Sequence, residues 1–480
     1  MFNLLGRDEI SAIHIAAMEV LERVGVVIQH KKALTVLKDA GASIDEKTSV
    51  AKIPEYLVRE ALQKAPSRDM LVARDPKYNL IIGDGSSYFT NAFGAHYTID
   101  LYTGERRLST VKDLEEFTLL SDYFSSVDYI KPNILPQDIP KTTWEQEMAL
   151  AMFKNTEKHV SLVALTPEGW RDVIKMSMIV AGGEEEFIKN PSFIDTGFNN
   201  VPPLKYTEEI IDMVLECAKY RIPFDISTGA LASASAPVTL AGLIAQGIAE
   251  NHAIVVLTEL VGPGTPIMWG SCATILDQKH GTAAYGSPEN GLIHAAFTQM
   301  AHYYGIPYYG AAGVIDSKVP DQQAAYENAM NVLVATLAGA DVVHDAVYGI
   351  VESGITASYE MFAISNEICG AIKRVAKGMR VNNETLALDI IEKVGHDKNH
   401  FNCPEALKFT KKHLLEEHWQ PILTDRSSRP EWERRGSKDI TERAREEVKE
   451  ILSSHEVEPL DKDIVSAMRK IIDNRAKKNS

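Results

Sequence analysis

Eight short apolar runs recur along the chain, each ending in small or polar residues and each followed by a helical pattern. They begin near Ser86 (SSYFTNA), Val127 (VDYIKPN), His159 (HVSLVALT), Ser192 (SFIDTGFN), Pro223 (PFDISTG), Pro266 (PIMWGSC), Pro307 (PYYGAAG) and Asp341 (DVVHDAV). Successive starts lie 31 to 43 residues apart. A strand–loop–helix unit of that length repeated eight times predicts an α/β fold, a (β/α)8 TIM barrel. Such a barrel carries its chemistry at the C-terminal ends of its strands, so the pattern also says where functional residues belong.

Around the repeat, helical periodicity predicts helices over 8–27 and 53–64, and the turn signal Asp75-Pro76 separates strands at 70–74 and 78–82. Thr103-Gly104 marks a hairpin inserted in the first β/α connection, and Thr110 is a good N-cap for the helix after it. Further helices are expected over 207–220, 238–260, 288–305, 320–339 and 358–377. The stretch beyond is rich in charge and helix formers. The expected organisation is therefore residues 1–85 as N-terminal helices and a β-hairpin, 86–380 as the barrel, and 381–480 as a C-terminal helical extension.

The 480 residues are 45% hydrophobic and 24% charged, ordinary for a globular protein with a large core. A net charge of -16 argues against nonspecific nucleic-acid binding. Four cysteines, Cys217, Cys272, Cys369 and Cys403, form no CxxC pair. The N-terminus is too polar for a signal peptide, and the apolar run 253–261 is broken by Glu259 and too short to span a membrane. A reducing cytoplasm and no membrane are the expectation.

Reading off the strand ends yields Asn91, Phe93, His96 and Tyr97 from the first; Lys131 and Asn133; Thr166; Phe198, Asn199 and Asn200; Ser227 and Thr228; Trp269; Tyr309; and His344, Asp345, Tyr348 and Glu352 from the eighth. Aromatic rings around a pocket hold a quaternary ammonium by cation–π attraction, about 0.5–2 kcal/mol per ring. The loop after the seventh strand, VIDSKVPDQQAAYE, gathers Asp316, Lys318, Asp321 and Glu327; Asp321 is placed to cap the helix that follows. His-x-His, HExxH, GxGxxG, P-loop and nucleophile-elbow patterns are missing, so an enzyme built this way borrows its reactive group.

Several long stretches resemble the trimethylamine methyltransferase (MttB) superfamily. They are 235–270 (SAPVTLAGLIAQGIAENHAIVVLTELVGPGTPIMWG), 286–307, DSKVPDQQAAYE (316–327), LAGADVVHD (337–345), the hairpin FGAHYTIDLYTGERRLST and HLLEEHWQPILTDR (413–426). The resemblance implies a methyl transfer from an amine to the Co(I) of a corrinoid (cobalamin) carried on a separate, cognate corrinoid protein. With only standard residues, the chain resembles the non-pyrrolysine branch, whose members demethylate quaternary amines such as glycine betaine, proline betaine or carnitine. VPPL (201–204) stands where SPL is common in the family.

The resemblance carries over Asp316, Lys318, Asp321, Gln322, Glu327 and His344 as candidate catalytic positions. Phe93, Tyr97, Asn199, Thr228, Trp269, Tyr309, Tyr348 and Glu352 are the candidate substrate contacts. A quaternary amine leaves as a neutral tertiary amine and needs no general acid, which suits this inventory. Its carboxylate has Lys131, Asn199, Thr228, His344 or a backbone N–H as possible partners. No directly bound metal is expected; His396 and His400 lie past the barrel. A homo-oligomer is expected. Two other readings remain: a lyase or aldolase with Lys131 or Lys318 as a Schiff-base amine, and a barrel that binds a ligand or the corrinoid protein without turnover.

Overall fold

Eight parallel strands close into a ring in the computed structural model, which describes residues 2–396 and 399–478. They are β1 (Tyr88–Asn91), β2 (residues 129–130), β3 (Val160–Ser161), β4 (Ile194–Asn199), β5 (Phe224–Thr228), β6 (Ile267–Ser271), β7 (Tyr308–Ala311) and β8 (Val342–Val347). β3 to β8 pair in chain order and β8 pairs with β1. The bridges Thr90–Tyr129 and Ile130–Val160 complete the circuit through β2. That short stave is held by a side chain as much as by a ladder. Asn91 accepts from the Lys131 N–H (2.6 Å) and donates to the Lys131 carbonyl (2.7 Å).

Eight helices surround the ring: α1 (Val111–Tyr123), α2 (Trp144–Asn155), α3 (Pro167–Val180), α4 (Glu208–Tyr220), α5 (Leu240–Val261), α6 (Pro288–Tyr304), α7 (Gln322–Ala338) and α8 (Tyr359–Ala376). Their starts follow local chemistry. Thr110 and Asp113 form a reciprocal capping box on α1, and Thr166 caps α3 with Pro167 at its first position. α5 is apolar on every side because it lies between the barrel wall and the N-terminal helices Arg7–Glu19 and Glu55–Lys64. By length and composition it is apolar enough to cross a membrane, yet 78% of its most apolar window is buried inside the protein.

The N-terminal region differs from expectation. The helix over 8–27 stops at Glu19; a π turn (Val20–Val24) and Gly25 then lead into a strand, Val26–Ile28. That strand joins Val50–Lys52, Ser43–Asp45 and the parallel strand Lys205–Tyr206 from the loop after β4. The expected hairpin forms as Asp69–Leu71 and Leu80–Ile82. It packs Leu71 and Ile82 against Tyr129, Met268, Tyr309 and Val342, closing the N-terminal end of the barrel.

The opposite end stays available. There the hairpin of the first connection, Tyr97–Ile99 and Arg106–Leu108, joins Thr356–Ser358 and Ile350–Val351 in one sheet. Leu231–Ala232, Thr274–Asp277 and Thr282–Ala284 form another. Of the C-terminal helices, Ile440–Ser454 packs on α8 and α1, and Lys462–Lys478 on α2 and α3. Glu367 of α8 accepts the Ile422 and Thr424 N–H groups, and Arg445 donates to the buried Glu360.

Candidate active site

Alternate residues of the strands point into the barrel, and toward its C-terminal end they enclose a cavity of about 270 Å³. That is small-molecule size. Lys131, Ser161, Gly197, Asn199, Asp225, Tyr309 and His344 line it, with Phe93 at its rim. Its wall continues past the ends of β3 and β4 to Ile210 and Met213 of α4. Two glycines open the space beside β5. A Cβ on Gly197 would stand 2.2 Å from Asp225 Oδ1, and one on Gly270 1.8 Å from Ser227 Oγ.

The polar floor is a linked set drawn from β2, β5, β7 and β8. Lys131 Nζ donates to the Tyr309 hydroxyl and lies 3.9 Å from Asp225 Oδ1. Ser227 Oγ donates to Asp225 Oδ2 (2.8 Å), while Asp225 Oδ1 is buried with no hydrogen-bond partner. The Tyr309 and His344 rings stack, centroids 4.9 Å apart. His344 Nδ1 lies 3.2 Å from Asp345 Oδ1 and 3.4 Å from Thr90 Oγ1.

Burial dominates the protonation states here. It pushes the Asp225 carboxyl up to about 6 although Lys131 and Ser227 pull the other way. It pushes Asp345 up to about 8, helped by the charge of Asp225 and opposed by Lys131. Burial and the Lys131 charge hold His344 well below the ordinary imidazole range, so the ring is neutral at pH 7. Burial also lifts the Cys272 thiol, on the cavity wall, to about 12, which leaves it a protonated, unreactive thiol.

Of the expected substrate contacts, Phe93, Asn199 and Tyr309 line the cavity, as does His344 among the expected catalytic positions. Three expected contacts are corrected. Trp269 faces outward, packed against His252, Phe297 and Tyr304 between the wall and its helices. Thr228 also turns outward: its hydroxyl donates to Glu250 of α5 (2.5 Å) and its methyl faces Gly247. Tyr97 lies in the capping sheet with the Arg106 guanidinium 3.6 Å over its ring, so that face is already taken by a cation.

The loop after β7 does not reach the cavity. Asp316 accepts from Tyr285 N, Gly286 N and Ser353 Oγ. Glu327 is buried and accepts from the Asp316 and Ser317 N–H groups. Asp321 caps α7, accepting from Ala324 N at 3.0 Å. Lys318 is exposed and turns back onto the Asp316 carbonyl, and Gln322 is exposed at the first turn of α7. Asp316, Lys318 and Glu327, with Glu352 and Ser353, line a separate cleft of about 1020 Å³. Glu352 there accepts from Arg106 and Thr356, both at 3.1 Å. Tyr348 is buried outside the barrel cavity, its hydroxyl beside Gly354.

Reading strand ends alone missed Asp225, and with it Asp195 of β4 and His159, which meet at 3.4 Å deeper in the barrel. The signal was present: an aspartate inside an apolar strand run, as in FIDTG and PFDIS, has to be buried in the barrel wall or its interior. Among the described residues no group of three or more His, Cys, Asp or Glu converges as a metal site.

The comparisons with known proteins match this architecture. The family model for trimethylamine methyltransferase (MTTB) matches residues 1–480. The chain is 37% identical to the trimethylamine methyltransferase MttB of Methanosarcina barkeri, covering 99% of this chain and 95% of that protein. It is 35% identical to the MttB of Desulfitobacterium hafniense, covering 97% and 92%. A glycine betaine methyltransferase of Desulfitobacterium hafniense is 30% identical, covering 99% and 98%. Among solved structures, the Methanosarcina barkeri monomethylamine methyltransferase aligns with a TM-score of 0.49 at 13% identity, covering 92% and 93%. With a family model spanning its whole length and relatives matched nearly end to end, the chain belongs to the trimethylamine methyltransferase (MttB) family, and it is a methyltransferase.

Proposed function

We propose that the chain transfers a methyl group from a carboxylate-bearing quaternary amine, of the glycine betaine, proline betaine or carnitine kind, to the Co(I) corrinoid of a partner protein. The observation that carries the reading is the cavity itself. It places one buried ammonium, Lys131, and one buried carboxyl, Asp225, beside aromatic surface from Phe93 and Tyr309. A zwitterionic quaternary amine presents the same two charges and a fatty cationic head. Its carboxylate pairs with Lys131, and its methylated nitrogen lies against the rings and toward Asp225.

The chemistry asks little more of the protein. The N–CH3 bond breaks, its electron pair stays on nitrogen, and the methyl carbon bonds to cobalt. The leaving tertiary amine is neutral, so no proton moves. Positioning and desolvation are then the protein's contribution. A neutral His344 and a protonated Cys272 fit a site without acid–base or covalent steps.

The test is to incubate the protein with a reduced corrinoid protein and a panel of methylated amines while following the methyl-Co(III) spectrum. Turnover confined to betaines supports the reading. Turnover on trimethylamine alone, or saturable binding with no methylation, overturns it.

A further inference from the structure

The segment 379–417 stands apart from the rest of the molecule. Its helices Leu388–Val394 and Pro404–Glu417 pack on each other around a small core of their own, Ile390, Val394, Cys403 and Ala406, separate from the main core. The body grips this arm mainly at its ends. Arg374 of α8 donates to the Glu417 carbonyl (2.9 Å), and Lys377 reaches the Glu416 carbonyl. Four buried side chains are few for a helical pair, and units this small ordinarily need a partner to hold their shape.

The outer surface of the arm is correspondingly apolar. Met379 is 84% exposed, Phe401 81%, Leu415 79%, Val381 72%, Leu388 68% and Ile391 54%. A concentration of large apolar side chains in one short segment marks an interaction surface. From its charges we infer that the partner is a second copy of this chain, docked arm to arm about a two-fold axis. The arm carries six basic and seven acidic residues, whereas the chain as a whole has a net charge of -16. Two copies repel each other over most of their surface and least here.

The charges are also sorted between the two helices. The short helix exposes Asp389 and Glu392 beside Leu388 and Ile391; the long helix exposes Lys408 and Lys411 in line with Leu415. None of these four charged groups has an ion-pair partner among the described residues. In a two-fold interface the short helix of one copy meets the long helix of the other, and the reverse contact repeats it. Acidic groups then face basic groups twice, with the apolar side chains between them.

The proposal is tested on the full chain by light scattering and sedimentation over a wide concentration range, with two charge-reversed variants. One carries Lys408→Glu and Lys411→Glu, the other Asp389→Lys and Glu392→Lys. All four positions are exposed, so circular dichroism and melting temperature should match the parent. The expected result is a self-associated parent, two variants that each dissociate at least tenfold more readily, and a mixed species when the variants are combined. A monomeric parent overturns it, as does association that neither variant weakens. So does an arm that becomes protected from proteolysis only when a corrinoid protein is added.

Discussion

Lys131 Nζ stands 3.9 Å from Asp225 Oδ1 while donating to the Tyr309 hydroxyl, so three strands are tied together at the floor of the cavity. The cation is 8% exposed and its backbone is clamped by Asn91, so it is aimed rather than free. Lys131→Met should therefore weaken binding of a betaine about ten- to a hundredfold, from roughly 1.5–3 kcal/mol for a charged hydrogen bond. Tetramethylammonium, which lacks the carboxylate, should bind the variant at least as well as the parent. Calorimetric titration of both ligands decides it; equal losses for the two would remove Lys131 from carboxylate recognition.

The aromatic contacts divide into two kinds. Phe93→Ala removes a rim ring and should weaken quaternary-amine binding about 2- to 30-fold, the equivalent of roughly 0.5–2 kcal/mol, with little change in stability. Trp269→Ala should cost about 3–5 kcal/mol of stability by opening a void between barrel and helices, with KM unchanged in the fraction that stays folded. Denaturant melts paired with initial-rate kinetics separate the two outcomes.

The loop after β7 should respond as a braced structure. Glu327→Ala strips the acceptor from two backbone N–H groups and should cost about 1–3 kcal/mol. Lys318 is exposed, so Lys318→Ala should change stability by less than about 0.5 kcal/mol. An intact melt for Glu327→Ala with lost turnover would instead make the carboxylate a participant in the chemistry.

The pH dependence of stability has a definite sign. Asp345, raised to about 8, and Asp225, raised to about 6, keep their protons in the folded chain after the unfolded chain has released them. Their contribution is full below the ordinary carboxylate pKa and is lost as pH rises through 6 and 8. The buried imidazoles His294, lowered to about 4, and His252, lowered to about 3, contribute above the ordinary histidine pKa and lose it as pH falls. Asp345→Asn should flatten the decline in melting temperature between about pH 5 and pH 8. Parallel curves for parent and variant would show that Asp345 titrates normally.

Much of this was legible in the chain, and the failures share one cause. The strand starts, most helices and the caps at Thr110 and Asp321 follow from local chemistry. The N-terminal helix was read too long because Val20 to Ile28 continues an apolar pattern that a π turn and Gly25 redirect into a strand. In the barrel, both faces of every strand are buried, one by the interior and one by helices. A parallel strand then shows an unbroken apolar run, and the alternation that separates the two faces is erased. Trp269 and Thr228 were assigned inward on that account and in fact pack outward, while Asp225 was overlooked.

By itself, then, the sequence determined the eightfold repeat, the end of the barrel where chemistry sits and, through long ordered motifs, the family. Those properties are written in local propensity and spacing, which a linear chain displays directly. Which side chains share the cavity was decided only by the closed ring. Barrel closure sets each strand's rotation and brings Lys131, Asp225, Tyr309 and His344 together from positions up to 213 residues apart. No local pattern encodes that convergence, because it arises from the geometry of all eight strands at once.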